Sequence, residues 1–386
     1  MKSEQPLKIG FVLDGGIEKP DGVQQYITAL GNYFNSKGHE VRYIVAGPIP
    51  GSINNAKSLA SSIKVKSNGN ELTIPLPTSS KKVRNYLDEE KFDVLHIQTP
   101  YSPLMGERTI FLSGKKTAII GTFHIIPGSK LLSIGDWLLG KLCYFSLRKF
   151  DQMLSVSSAA QHIAKRDFGL DTIIVPNVVN YSKYNDVSIK KKVDSPKIIL
   201  FLGRLVPRKG SLELLKSLKI LVESHDKLPQ FKLCLAGSGP LEPKLREFIK
   251  NNNLGSYVEF KGFIDEIEKP KIYASADISV FPSISGESFG IVLIEALSSG
   301  KSVVLAGNNV GYSSVLAPKP ELLFNPKKHS ELADLLFYYL THEVERKELA
   351  KWGETYAKNF DVGVVGDKII EIYRQNIDKK SKQIDN

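Results

Sequence analysis

Short runs of apolar, β-favouring residues alternate with helix-period segments along the whole chain. The early runs are KIGFVL from Lys8, VRYIVA from Val41, DVLHIQ from Asp93, AIIGTFH from Ala118, MLSVS from Met153 and TIIVPN from Thr172. The later ones are KIILFLG from Lys197, FKLCLAG from Phe231, YVEFKGF from Tyr257, DISVFPS from Asp277 and SVVLAG from Ser302. They are apolar on both faces, the pattern of strands buried between two helix layers. Between them lie amphipathic stretches. Val23, Tyr26, Ile27, Leu30 and Phe34 recur at three-to-four spacing, and Gly38 follows as a stop signal. This alternation predicts parallel sheets joined by right-handed crossovers, an α/β class with doubly wound sheets.

The strand–helix series occurs twice. Residues 186–196 (DVSIKKKVDSP) are polar, charged and closed by Ser-Pro, which favours an extended connection. The expected organisation is an N-terminal domain over 1–186, a linker over 187–196, a C-terminal domain over 197–360 and a terminal helix and tail over 361–386. The helix (VGVVGDKIIEIYRQ after Asp361) is expected to pack back on the first domain, and the tail from Lys379 to fray. Two Rossmann-like domains would face across a cleft, with ligands at the carboxyl ends of the strands.

With 386 residues there is chain enough for two cores. Hydrophobic residues make up 42% and charged residues 24%, ordinary for a globular protein. The apolar runs fall short of the roughly 20 residues of a spanning helix. The N-terminal stretch MKSEQPLKIGFVLDGG has no apolar region with a cleavage site, so no secretory signal is expected. Cys143 and Cys234, the only cysteines, sit in apolar stretches and read as core residues of a protein in a reducing cytoplasm. Neither a disulfide framework nor a metal-ligand spacing is present. The net charge of +11 suits nucleic acid, an anionic membrane or acidic small molecules such as nucleotide diphosphates. No zinc-finger, RRM, KH or basic-zipper pattern occurs, so no nucleic-acid partner is expected.

Chemistry concentrates in four places. Residues 203–210 (GRLVPRKG) put cations and glycines directly after the strand KIILFL. Such a loop can neutralise a diphosphate, or it can be a solvated basic loop. Residues 286–296 (GESFGIVLIEA) follow the strand DISVFPS and open an apolar helix. Ser288 and Gly290 suit a helix N-terminus, whose free N–H groups attract phosphate oxygens. Glu287 could reach a sugar hydroxyl or merely complement the helix dipole. Glu295 could meet ribose hydroxyls or snorkel to the surface. Asp21-Gly22-Val23-Gln24 lies between the first strand and its helix, where Gly22 lets a backbone N–H approach a phosphate. Gly121-Thr122-Phe123-His124 ends a strand, a position where a lone histidine is more often structural.

The pattern G-R-L-x-x-x-K-G followed by E-x7-E resembles the family 4 retaining glycosyltransferases, as do LAGSGP from Leu235 and KGFID from Lys261. The resemblance extends over essentially the whole chain. It implies the GT-B fold, with 197–360 binding a nucleotide-sugar donor and 1–186 binding the acceptor. By resemblance Arg204 and Lys209 bind the donor diphosphate, Glu287 the donor sugar and Glu295 the ribose. Phe263 and Ile264 line the base pocket, and Ser288, Phe289 and Gly290 complete the donor loop. His124 bonds the donor sugar, so the implied catalytic set is His124, Arg204, Lys209 and Glu287, while His96 is read as structural. The loop 21–24 resembles the family's G-G-V-Q loop but departs from it. Asp21 replaces the first glycine and the preceding loop is longer, so Gly22 carries the donor role and Asp21 and Gln24 are assigned to the acceptor side. The resemblance further implies retention at the anomeric carbon, with the departing phosphate oxygen assisting the acceptor hydroxyl. It implies no metal and no cofactor, and no DxD-type carboxylate pair is present.

Within that family, GESFGIVLIEA, DVLHIQTPYSP and TSSKKVRNYLDEEKFD resemble bacterial phosphatidylinositol mannosyltransferases. Lys81, Lys82 and Arg84 open a helix beside Val83, Tyr86 and Leu87. A basic amphipathic helix of this kind can lie on an anionic membrane, each cation contributing about 1 kcal/mol, or can be a solvated face. His96 and Gln98 stand where those enzymes carry two histidines. The expectation is hexosyl transfer, mannose from GDP-mannose or another hexose from a UDP-sugar, to a lipid headgroup, phosphatidylinositol. The enzyme would be cytoplasmic and peripheral on the inner face of the plasma membrane. Rival readings are a soluble or cell-wall glycan acceptor, a nucleotide-sugar 2-epimerase and a non-catalytic sugar-nucleotide-binding protein.

Overall fold

The computed structural model describes residues 5–18, 21–51, 53, 55–67, 70–98, 100–124, 138–190, 195–225 and 227–385. The early elements are β1 (Lys8–Leu13), α1 (Gly22–Ser36), β2 (Glu40–Ala46), β3 (Ala56–Ala60), β4 (Ser62–Ser67), β5 (Asn70–Pro75), α2 (Ser80–Glu90), β6 (Val94–Ile97), α3 (Met105–Leu112), β7 (Ala118–Phe123), α4 (Tyr144–Leu147), β8 (Gln152–Ser155), α5 (Ser158–Phe168) and β9 (Ile173–Ile174). Then come α6 (Tyr181–Asn185), β10 (Lys197–Leu202), α7 (Ser211–Ser224), β11 (Phe231–Ala236), α8 (Glu242–Asn251), β12 (Val258–Gly262), α9 (Lys269–Ser275), β13 (Ile278–Phe281), α10 (Ile291–Ser299), β14 (Val303–Gly307), α11 (Val310–Val315) and β15 (Leu323–Phe324). The chain ends with α12 (His329–Thr341), α13 (Glu343–Ala357) and α14 (Val362–Asp385).

The chain divides into two compact units, Met1–Val178 with Val362–Asn386, and Val179–Asp361. Residues 179–186, expected with the N-terminal domain, therefore belong to the second unit. A long-range contact ties them there: Tyr184 is buried and donates its hydroxyl to Glu295, 2.9 Å away. Residues 191–194 of the expected linker lie outside the described residues.

The first unit is built on a parallel sheet in the order β3–β2–β1–β6–β7–β8–β9. Alternation along β1 sends Ile9, Phe11 and Leu13 to one face and Val12 to the other. Tyr26, Ile27, Leu30 and Phe34 of α1 join Val365, Ile369 and Tyr373 of α14 on the first face. Val83, Tyr86 and Leu87 of α2 join Met105 and Ile110 of α3 on the second. Burial on both sides is why these strands read as continuous apolar runs. The last helix is tied down polar as well as apolar: the Tyr373 hydroxyl lies 2.6 Å from Nδ1 of His96. The tail expected to fray stays helical to Asp385, and Lys380 reaches Asp151 at 2.7 Å. The antiparallel pair β4–β5 has no counterpart in the runs read from sequence.

The second unit has a parallel sheet in the order β12–β11–β10–β13–β14–β15. Its edge strand β12 alternates half-buried and exposed positions, so it is not apolar on both faces as expected. An edge strand pairs on one side only and need not bury both faces.

Candidate functional site

The strand order of the second unit reverses between β10 and β13. Loops leaving the carboxyl ends of such strands diverge and open a crevice for ligands. The two loops at that point are 203–210 and 282–290, the segments that carry the sequence motifs. Gly210 lets them meet: its φ is 73°, and a Cβ there would stand 2.0 Å from the carbonyl oxygen of Pro282.

Across this junction the side chains converge on one atom. Oε1 of Glu287 accepts from Lys209 Nζ at 2.7 Å, Arg208 Nη1 at 2.9 Å and Ser283 Oγ at 2.7 Å. Glu287 is 9% exposed. Burial pushes its carboxyl up, but the charges of Lys209 and Arg208 outweigh burial and leave it below the usual carboxylate range. Burial pulls the Lys209 ammonium down, against Glu287 and with the help of Arg208 and Arg204. Arg204 is exposed, and its charge reaches Lys209. Arg208, not singled out by the sequence pattern, is the second cation on Glu287, and its Nε is buried with no hydrogen-bond partner. The signal for it was the charge of the GRLVPRKG loop as a whole.

The loop 282–290 runs into α10, whose N-cap is Gly290 with φ 104° and no side chain to cap the first turn. Of its leading N–H groups, that of Leu293 donates to the carbonyl of Gly290 at 2.9 Å. Ser288 is half-buried. Phe289 is 3% exposed and packs edge-on against Phe360 with centroids 5.7 Å apart, so its ring serves the core and only its backbone belongs to the loop. Glu295 is neither a snorkelling group nor a lone carboxylate. It is 2% exposed; Oε1 accepts from Tyr184 and from Lys269 at 3.2 Å, and Oε2 from Tyr273 at 2.8 Å. Phe263 and Ile264 follow β12 at its carboxyl end, where Phe263 is 72% exposed and Ile264 half-buried.

In the first unit the order reverses between β1 and β6. Asp21 is the N-cap of α1, Oδ1 accepting from the N–H of Val23 at 3.1 Å and Gln24 at 3.4 Å, and Gly22 opens the helix. The carboxylate in place of glycine thus satisfies two N–H donors of the first helical turn. Gln24 donates Nε2 to the carbonyl of Gly16 at 2.9 Å. Asp14, at the end of β1, accepts from the N–H of Gly106 at 2.8 Å, while its Oδ2 is buried without a partner. Burial raises its carboxyl to about 6.

His124 ends β7. Its Nε2 lies 2.9 Å from Oε1 of Gln98, whose Nε2 donates to the carbonyl of His96. An amide oxygen only accepts, so Nε2 of His124 carries the proton and Nδ1 is the basic nitrogen. Burial lowers this imidazole to about 3, and Tyr26 packs edge-on against it at 5.1 Å. His96 bonds Tyr373 and Thr122, each at 2.6 Å, and is also lowered to about 3, mainly by burial. Gln98, read only as a departure from the family pattern, is what orients His124. Lys81, Lys82 and Arg84 are exposed on α2, but Val83, Tyr86 and Leu87 are buried in the core. The helix therefore offers an outside surface its charges and not its apolar face.

Residues 183–358 match the family model of the glycosyl transferases group 1, and residues 20–183 that of glycosyltransferase family 4. The phosphatidyl-myo-inositol mannosyltransferase of Mycobacterium tuberculosis is 27% identical over 382 residues, covering 95% of this chain and 96% of its own. That of Mycobacterium leprae is 28% identical over 374 residues, with the same shares. Among solved structures, a glycosyltransferase from Rickettsia africae superposes with a TM-score of 0.73 at 16% identity, over 97% of this chain and 99% of that one. HepE of Anabaena in complex with UDP-glucose gives 0.72 at 19% identity, over 96% and 100%. These structures share the fold, two Rossmann-like α/β units of the GT-B class.

Proposed function

We propose that this chain, which belongs to the family 4 glycosyltransferases, moves mannose from GDP-mannose to the headgroup of phosphatidylinositol with retention and without a metal ion. The observation that carries the donor side is the convergence of Arg208, Lys209 and Glu287 at the strand reversal of the second unit. In this reading Arg204, Arg208 and Lys209 neutralise the diphosphate that departs, aided by the uncapped start of α10. Glu287 takes hydroxyls of the transferred sugar, Phe263 stacks on the base and Ile264 lines its pocket. Glu295 meets the ribose through Tyr184, Tyr273 and Lys269, as a positioning residue, because protein donors already hold both of its oxygens. In the first unit His124 is the proposed sugar-contacting residue, Gly22 a donor contact, and Gln24 an acceptor-side one. Lys81, Lys82 and Arg84 attract an anionic membrane surface. The names of the mycobacterial relatives support the acceptor and the mannosyl group.

A UDP-hexose donor is the second reading, favoured by the UDP-glucose complex of HepE. The test is a radiolabel transfer assay with GDP-mannose or UDP-glucose and vesicles with or without phosphatidylinositol. Label entering lipid from GDP-mannose only when phosphatidylinositol is present is the expected result. Transfer from UDP-glucose alone would replace the donor. Turnover with no lipid product, lost in Lys209→Ala, would retain a transferase and discard the lipid acceptor.

A further inference from the structure

Residues 138–149, two short helical pieces (138–142 and α4, Tyr144–Leu147) joined by a turn at Cys143, invert the usual arrangement of a surface helix. Their inward positions are small or modest: Gly140, Cys143, Ser146 and Leu147 are buried. A Cβ on Gly140 would stand 3.0 Å from the carbonyl of Asp167, and Cys143 Sγ donates to the carbonyl of Tyr101 at 3.2 Å. The outward positions carry the bulk. Phe145 is 74% exposed, Leu138 and Leu142 63% each, and Tyr144 46%. A helix of a globular protein places its large apolar side chains inward, and one that places them outward has an apolar partner.

The same outward face carries Lys141, Arg148 and Lys149, and 138–149 contains no acidic residue. Arg148 sits over the Tyr144 ring at 5.0 Å, and Lys149 over Phe111 of α3 at 5.0 Å. Phe111 is itself 44% exposed, and exposed Lys115 and Lys116 follow α3. Glu107, in the first turn of α3, is an acidic residue near this face, against five cations at Lys115, Lys116, Lys141, Arg148 and Lys149. Large apolar groups interleaved with an excess of cations match a bilayer interface: acyl chains take the first and anionic headgroups the second. α2, which carries Lys81, Lys82 and Arg84, packs against α3, and α3 against α4.

We propose that the outward face of 138–149, with Phe111, inserts into the surface of an anionic phospholipid bilayer. It deepens the lipid-acceptor reading and rests on it for its purpose. It supplies the apolar contact that α2, with its apolar face turned to the core, lacks.

The test is co-sedimentation of the full chain with phosphatidylglycerol–phosphatidylcholine vesicles, free of phosphatidylinositol and of donor. The double variant Leu142→Ser, Phe145→Ser should lose at least about tenfold in partitioning. Neutralising Lys141, Arg148 and Lys149 to Gln should cost roughly fivefold per cation and flatten the salt dependence. Phe145→Trp should give emission that shifts to the blue with vesicles and is quenched by brominated acyl chains; this variant also reports should the double variant fail to fold. Unchanged partitioning of the double variant, with binding lost only on neutralising Lys81, Lys82 and Arg84, would overturn the proposal. So would a self-association abolished by Phe145→Ser with vesicle binding intact, which would make the face a contact between copies. Vesicle insertion without mannosyl transfer to phosphatidylinositol would refute the proposed function and leave this inference standing.

Discussion

Lys209 and Glu287 meet at 2.7 Å although they come from loops after different strands, and the same carboxylate oxygen also holds Arg208. The pair keeps two cations poised at the strand reversal and fixes the carboxylate as an anion. Lys209→Ala should lower turnover about 100-fold, the effect of losing one electrostatic stabiliser of a departing charge. Its measurement is steady-state transfer beside donor affinity by calorimetry. Stability should fall as well, because a buried carboxylate then keeps only Arg208 and Ser283. Full turnover in Lys209→Ala would remove the loop 203–210 from the chemistry. Since the folded Glu287 carboxyl lies below its ordinary value, its contribution is complete above about pH 4.5 and fades on acidification through the folded value.

The first unit should respond to acid earlier. His96 and His124 fall from 6.5 to about 3 on folding, so the unfolded chain binds protons that the folded unit refuses. Their stabilisation is complete above pH 6.5 and decreases as pH falls, by about 1.4 kcal/mol per pH unit for each histidine. Asp14 acts in the opposite sense. Raised from 3.8 to about 6, it holds a proton that the unfolded chain releases in that window, so it offsets one histidine there. Denaturant melts across a pH series should show a His124→Gln variant with a flatter acid limb. Asp14→Asn should have a steeper one and be more stable at neutral pH by on the order of 1 kcal/mol. Identical slopes in all three proteins would mean that these groups titrate normally.

Most strand positions and the convergence of cations after β10 were legible because each depends on local pattern: an apolar run, then glycine and cations. The extent of the units was not. Nothing near Tyr184 shows that its hydroxyl will reach Glu295, far along the chain, and draw 179–186 into the second unit. The pair β4–β5 escaped because SIKVKS and NELTIP are not apolar on both faces. For α2 the pattern gave the amphipathic face correctly but not its direction. Val83, Tyr86 and Leu87 could have met lipid or core, and only the position of α3 decides. The Gln98–His124 bond likewise joins neighbouring strand ends, a relation created by the β6–β7 pairing.

Phe263 offers a prediction without a stability cost. At 72% exposure its ring contributes little to the core, yet it stands at the carboxyl end of the edge strand β12, on the side of the sheet where the loops 203–210 and 282–290 leave. Phe263→Ala should weaken binding of the donor nucleotide by roughly tenfold, as loss of one stacked base does. The melting temperature should not move. Calorimetric titration with GDP and UDP separates the two effects. Equal affinity in the variant and the parent would place the base elsewhere.

The bond between Tyr373 and His96 makes the last helix part of the first unit's core. Tyr373→Phe keeps the ring packing but leaves Nδ1 of a fully buried imidazole without its partner, which should cost about 1–3 kcal/mol. For a unit of this size that is a fall of about 2–4 °C in melting temperature per kcal/mol. Removing 362–386 takes away Val365, Ile369, Ile370 and Tyr373 together and uncovers the part of that sheet face which α1 does not cover. The first unit should then lose its cooperative transition, while the second, whose core contains none of these residues, still melts and still binds nucleotide. Differential scanning calorimetry of the truncated chain, with and without GDP, decides it. A first unit that melts unchanged would show that α14 is an accessory to the fold, not a member of it.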